Sequence, residues 1–279
     1  MDIRTLERTS LAEITASFNE AFSDYFIPLQ FTGESMAAKI KSEGILLKYS
    51  VGAFEGGRMV GYMLHGYDVV DGVKTIYNGG TGVVPAFRNK GITTTMYQYI
   101  IPRLQKEGIH HHILEVIDNN YPAMKVYEKI GFEKVRSLVA FKGSAAIDGA
   151  IAYEIKGLDA VPAEVSSFSE MEAAWQNSVG SIARDREGHV PVGAYDDDKL
   201  IGFAVYVAAT GRVKQCAVHP RHRRKGVGRS LFHYIQQNSG RGQLVVTNVD
   251  EAYEPALQFL QVLDFQPFLR LYEMKMEVR

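Results

Sequence analysis

Cysteine is nearly absent from this 279-residue chain; Cys216 stands alone. An internal disulfide is therefore excluded, and a reducing compartment is expected. Long apolar runs are missing as well, since none reaches the ~18 residues that cross a bilayer. Met1-Asp2-Ile3-Arg4-Thr5 has no apolar signal core, so a cytoplasmic location with no membrane partner is expected. There is no excess of charge either, the formal net charge being -1. That balance exerts no overall pull on nucleic acid, which is not expected as a partner.

What is present is an ordinary globular composition, 46% hydrophobic and 23% charged, long enough for two domains. One stretch organises it. Gly82-Val83-Val84-Pro85-Ala86-Phe87-Arg88-Asn89-Lys90-Gly91-Ile92-Thr93 reads as a strand end, a basic turn and a helix start. Ile92, Met96, Ile100 and Leu104 then recur on one helical face. Backbone N–H groups and the positive end of the helix dipole make such a turn a site for phosphate oxygens. Gly91 would let an anion approach the backbone, and Arg88 and Lys90 would add charge. The pattern is repeated at Ala217-Val218-His219-Pro220-Arg221-His222-Arg223-Arg224-Lys225-Gly226-Val227-Gly228. Neither turn carries the glycine spacing of a nucleotide-triphosphate loop or of a dinucleotide fold.

Other elements place themselves around these turns. Residues 4–24 read as a helix, 35–42 as a short helix, and 50–54 with 59–67 as a hairpin. Residues 73–84 read as a third and fourth strand, with a bulge expected in Asn78-Gly79-Gly80-Thr81-Gly82. A buried strand at 113–117 precedes a helix opened by Asn120 and Pro122 and closed by Gly131. Residues 132–141 read as the last strand of the unit. The small residues of 143–150 suggest a linker, dividing the chain into 1–142 and 151–279. Beyond it the pattern restarts. Val51 and Val192, and Gly61 and Gly202, are 141 positions apart, while Arg88 and Arg223 are 135 apart. The chain is one unit written twice, with shorter loops in the second copy.

The turn, followed by Asn120-x-x-Ala123-x-x-x-Tyr127-Glu-Lys-Ile-Gly131-Phe132, resembles the GNAT superfamily of acyl-CoA N-acyltransferases. The resemblance implies two tandem mixed α/β domains, each a twisted sheet flanked by helices. It implies acetyl-CoA as cosubstrate and no metal. Its pyrophosphate would lie on Arg88, Asn89, Lys90, Gly91, Ile92 and Thr93, and on Arg223, Arg224, Lys225, Gly226, Val227 and Gly228 in the second copy. Backbone near Val83, and near Ala217 and Val218, would bind the pantetheine arm as an added strand does. Asn120 would belong to the same site.

The implied reaction is attack of a neutral amine on the thioester carbonyl, within a ternary complex. A backbone N–H freed where strands splay would stabilise the oxyanion. Tyr127 would protonate the departing thiolate. The base is less legible; Glu115 is the candidate, and Asp24, Tyr25 and Phe26 are candidates for the acceptor cleft. In the second copy Leu260 stands opposite Tyr127, so that copy is expected to bind CoA without turnover or to be degenerate. Its Gly228, where the first copy has Thr93, suggests the better phosphate grip. His110-His111-His112 reads as the solvated start of a strand, since neighbouring strand residues face opposite ways and do not converge on a metal. His219 and His222 read as parts of the phosphate turn, and Asp196-Asp197-Asp198 as a hairpin tip. The acceptor is not legible in the sequence: a small-molecule or peptide amine is expected, with aminoglycoside, polyamine and protein N-terminus all open. The alternative is a non-catalytic acyl-CoA-binding or regulatory protein.

Overall fold

A strand, not a helix, begins the chain. In a computed structural model, which describes residues 1–25, 29–145, 153–162, 165–168 and 170–278, β1 is Asp2–Thr5. It pairs antiparallel with Val51–Phe54, so the helix expected from residue 4 starts later. Helix α1 is Leu11–Ala21, and Ser10 caps it by accepting the Glu13 N–H at 3.2 Å. Phe26 and Pro28 lie outside the described residues, as does 146–150 of the expected linker.

Helix α2 is Gly33–Glu43, opened by a Thr32/Ser35 capping box and closed by Gly44 at φ 66. Strands β2 (Val51–Glu55) and β3 (Arg58–Val70) form the expected hairpin. Residues 73–83 form one strand, β4 (Val73–Val83), antiparallel to β3, where two were expected. Then come α3 (Ile92–Lys106), β5 (His111–Ile117) parallel to β4, and α4 (Tyr121–Ile130). The predicted face of α3 is buried at Ile92, Met96, Ile100 and Leu104. Among the described residues no helix is long and apolar enough to cross a membrane.

The packed units differ from the consecutive division read in the sequence. Strand β6 is Glu133–Gly143, and β12 is Gln266–Glu277. The first unit is Met1–Val135 with the C-terminal stretch from Tyr272; the second is Arg136–Leu271. Most of β6 thus serves the second unit, and the end of β12 closes the first. Met274, Met276 and Val278 lie in the first unit's core, and the Val278 N–H donates to the His110 carbonyl at 2.8 Å. Periodicity identifies a strand but not the packed unit that it joins.

The second unit contains β7 (Glu154–Gly157), α5 (Val165–Phe168), α6 (Val179–Arg184), β8 (Val190–Asp196), β9 (Lys199–Val207) and β10 (Arg212–Val218). It continues with α7 (Val227–Asn238), β11 (Leu244–Asp250) and α8 (Glu254–Val262). The repeat extends to defects in the ladders. The β2–β3 register shifts between Ala53 and Phe54, and the β8–β9 register between Ala194 and Tyr195. On β4 the bulge skips Gly79; on β10 it skips Lys214. Asp196 pairs with Lys199 and Asp197 has φ 52, so the acidic run is a hairpin tip.

The histidine triplet departs from its expected solvation. His110 is exposed, but His112 is fully buried against His65, with ring centroids 4.7 Å apart. The Tyr49 carbonyl accepts from His65 Nδ1 at 2.8 Å. Burial lowers the His65 pKa to about 4 and that of His112 well below its usual value. Below pH ~6.5 the unfolded chain binds protons that the folded unit refuses, so stability should fall with pH. For each imidazole the loss is about 1.4 kcal/mol per pH unit until its folded pKa is reached. Thermal melts at pH 7.5 and 5.0 test this, and His112→Leu should weaken the dependence. Equal melting temperatures at both pH values would contradict it.

Candidate functional site

The parallel β4–β5 ladder joins Thr75–Asn78 to His111–Leu114 and stops there. Both strands continue, to Val83 and Ile117. Gly79, Gly80 and Thr81 are consequently only half-buried, although β4 is an inner strand. The expected bulge lies at this opening. Its glycines have steric reasons. A Cβ at Gly79 would sit 2.4 Å from Glu43 Oε2, and one at Gly82 would sit 2.7 Å from the Tyr62 hydroxyl.

Polar side chains gather along the opening. Asn78 Nδ2 donates to Thr81 Oγ1 at 2.7 Å and to the Tyr97 hydroxyl at 2.9 Å, while its Oδ1 accepts the Gly80 N–H at 3.0 Å. The Tyr127 hydroxyl lies beside the Thr81 side chain, and its ring packs near Tyr97 and Phe132. Burial pushes its pKa up to about 12, so it is a neutral phenol with a proton to donate. The Val84 N–H donates to Val60 at 2.9 Å, so by alternation the Val83 amide faces the other edge, toward the opening. Glu115 lies one residue beyond the ladder. Leu114 and Val116 face the core beneath α3 and α4, so Glu115 faces away from Tyr127.

The basic turn continues β4. Asn89 (φ 62) and Gly91 (φ 74) flank Lys90 in a left-handed, amide-concentrating arrangement. No side chain caps α3. The Ile92, Thr93 and Thr94 amides precede the first helical bond, from the Thr95 N–H to the Gly91 carbonyl at 3.0 Å. A Cβ at Gly91 would meet nothing within 4 Å, so glycine is required by its positive φ and the space beside it is open. One side-chain reading changes. Arg88 is not a spare cation. Its Nε donates to the Val83 carbonyl at 3.1 Å, Nη2 to the Ala21 carbonyl at 2.9 Å, and Nη1 and Nη2 to Asp24 at 2.7 and 2.6 Å. It clamps the turn to the end of α1, and its hydrogen bonds hold the Asp24 pKa below the usual value. Lys90 stays exposed at the rim, donating to the Ala86 carbonyl at 3.2 Å. Asn120 caps α4 through the Ala123 N–H at 3.4 Å and donates to the Tyr25 hydroxyl at 3.3 Å.

The second unit repeats the turn but not the opening. Arg223 Nε donates to the Val218 carbonyl at 3.1 Å, and Nη2 to the Phe168 carbonyl at 3.0 Å. Arg224 (φ 62) and Gly226 (φ 90) match Asn89 and Gly91, and α7 likewise has no side-chain cap at Val227. The Lys225 carbonyl accepts the Tyr153 hydroxyl at 3.1 Å. His219 Nδ1 accepts the Arg221 N–H at 3.3 Å within the turn. Gly228 has a packing reason to be small, since the Phe259 ring lies 2.9 Å from where its Cβ would be. Leu260 is buried in the place of Tyr127. The β10–β11 ladder covers only Arg212–Val213, and beyond it Asn177 bridges both strands. Asn177 Nδ2 donates to the Thr247 carbonyl at 2.8 Å, and its own carbonyl accepts Gln215 Nε2 at 2.7 Å. Ala217 is buried.

Sequence reasoning missed Glu43, Asn78, Thr81, Tyr97 and Tyr62. The signal for Glu43 was its place in the stripe Met36, Ile40, Glu43, which aims it at the sheet. Tyr62 is fully buried, and its hydroxyl has no partner among the described residues. Tyr62→Phe should therefore stabilise the fold by about 1 kcal/mol, read as a higher urea midpoint. A lower midpoint would show that the hydroxyl is satisfied.

Comparison with known proteins finds a family match and structural neighbours. The family model described as the acetyltransferase (GNAT) family matches residues 11–132 and 153–265. A mycothiol acetyltransferase of Corynebacterium efficiens is 35% identical over 69 residues, which is 25% of this chain and 22% of that protein. An N-alpha-acetyltransferase of Saccharolobus solfataricus is 40% identical over 72 residues, 25% of this chain and 41% of that protein. The chain thus matches less than half the length of either curated relative. A tandem GNAT protein from the clavulanic acid biosynthesis pathway superposes with TM-score 0.75 at 16% identity, over 100% of this chain and 98% of that one. A putative acetyltransferase from Pyrococcus horikoshii does so with TM-score 0.73 at 14% identity, over 99% and 89%. At such identities the structural likeness is one of fold.

Proposed function

The chain belongs to the GNAT acetyltransferase family, matched in both halves, and from that membership we propose that it transfers an acetyl group from acetyl-CoA to a primary amine. The first unit is the catalytic one. The observation that carries this assignment is Tyr127, a buried neutral phenol beside Thr81 at the open part of β4. In this reading the amides of Ile92, Thr93 and Thr94 hold the diphosphate, helped by the helix dipole. Arg88 acts by fixing the turn, and Lys90 supplies charge at its rim. The open edge near Val83 hydrogen-bonds the pantetheine arm and offers an N–H to the oxyanion. The amine nitrogen bonds to the acyl carbon, the C–S bond breaks, and Tyr127 gives its proton to the sulfur.

The second unit supports structure rather than turnover. Leu260 has no proton to give, and Asn177 occupies the strand opening that an acyl chain would use. We therefore expect one acetyl-CoA per chain. The near-neutral charge favours a small-molecule or peptide amine over a strongly basic protein tail. A second reading, an acyl-CoA-binding regulator, is favoured by the lack of a carboxylate on β4 itself. Titration calorimetry with acetyl-CoA, followed by an amine panel read by free thiol, separates the two. Binding without thiol release from any amine would select the regulator.

A further inference from the structure

The route above leaves one proton without a destination, the one that the amine loses. A buried carboxylate stands at the opening with no part in that route. Glu43, at the end of α2, has a side chain only 8% exposed, and Lys39 Nζ donates to both of its oxygens at 2.7 Å. Its Oε2 takes the space that a Cβ at Gly79 would fill. Gly79 is both the bulge residue of β4 and the first residue beyond the β4–β5 ladder.

The face is the appropriate one. The missing Cβ of Gly79 would also meet Ile45, and that of Gly82 would meet Ala21, both in the core beneath α1 and α2. Tyr127 reaches Thr81 from the core beneath α3 and α4. Carboxylate and phenol therefore approach the opening from opposite sides of the sheet, two residues or about 7 Å apart along the strand. That spacing leaves room for a thioester with an attacking nitrogen on one side and a leaving sulfur on the other. The second unit has Lys214 at the equivalent bulge, its Nζ on the Gln176 carbonyl at 2.6 Å. The glycine that admits a carboxylate is a feature of the first unit.

We propose that Glu43 is the general base of this site, with Lys39 holding it in place. The inference rests on the acetyltransferase reading above. As the amine nitrogen bonds to the acyl carbon, its proton passes to Glu43, directly or through one water, while Tyr127 protonates the sulfur. Glu43 then releases its proton to solvent, and Tyr127 regains one. No other reactant is needed.

The test uses the full chain and the amine that gives the fastest thiol release in the panel. Glu43→Gln alone would leave Lys39 buried without its carboxylate, so the double variant Lys39→Met, Glu43→Gln is made as well. We expect either variant to lose at least 100-fold in single-turnover thiol release, with acetyl-CoA affinity within threefold of native. Lys39→Arg, which keeps the ion pair, should lose less than tenfold, because the base remains and is still held. A merely structural pair would leave the residual rate of the double variant with the native pH dependence, and that result overturns the proposal. So does a double variant within threefold of the native rate, or a 100-fold loss in Glu115→Gln with a Glu43→Gln that stays active. If the native protein binds acetyl-CoA but acetylates no amine, the acetyltransferase reading itself fails, and the base assignment with it.

Discussion

Tyr127→Phe should lower kcat by about 100- to 1,000-fold while leaving acetyl-CoA affinity within about threefold. The substitution removes one oxygen and keeps the ring, so the packing near Tyr97 and Phe132 survives. Thr81 keeps its bond from Asn78 Nδ2 at 2.7 Å, so the opening keeps its shape. What disappears is the proton for the departing thiolate. The burial that raises the phenol's pKa to about 12 also keeps it protonated across the neutral range. Ordinary tyrosine would already be mostly protonated there, so burial chiefly prevents loss of the donor at high pH. Steady-state thiol release and calorimetry on one preparation give both numbers. A variant with native kcat would remove Tyr127 from the mechanism.

Gly91→Val should weaken acetyl-CoA binding by about 100-fold, roughly the loss of one or two amide hydrogen bonds to a charged ligand. Gly226→Val should change neither affinity nor stoichiometry. Both glycines sit at positive φ, 74 and 90, where a β-branched residue is strained. In each case the turn relaxes and the amides at the helix start lose their common aim. Only in the first unit should that matter for binding, because only there does the turn lead into an open strand edge. Calorimetry of the three proteins gives Kd and sites per chain together. If Gly226→Val abolishes binding and Gly91→Val does not, the two units exchange roles. Two sites in the native chain would show that the Asn177 bridge yields to the ligand.

Much of this was legible beforehand. The α3 face, the capping of α4 by Asn120, the closing Gly131 and the Gly79 bulge all follow from patterns a few residues long. The duplication was legible because two copies share spacing as well as composition, and the spacing extends to the ladder defects. Arg88 was readable as a cation but not as a clamp, since its carboxylate, Asp24, lies 64 residues earlier. His112 was misjudged because strand alternation says that one face is buried without saying which. The chain start was read as helix because residues 4–24 have helical spacing, whereas β1 forms through its partner at Val51–Phe54.

Local order therefore came from the residues themselves: two amide-lined turns at positive φ, the helices that follow them, and a phenol on α4. These depend on backbone sterics and on the burial of one helical face, and both act between near neighbours. Three matters were left to the tertiary structure. It set the arginine of each turn on backbone carbonyls, where it braces the turn. It put the Glu43 carboxylate against the missing side chain of Gly79. It closed the second strand opening with Asn177 and left the first open. Each depends on which distant segments the sheet brings together, and hydrogen bonds and sterics between such segments leave no period in the chain.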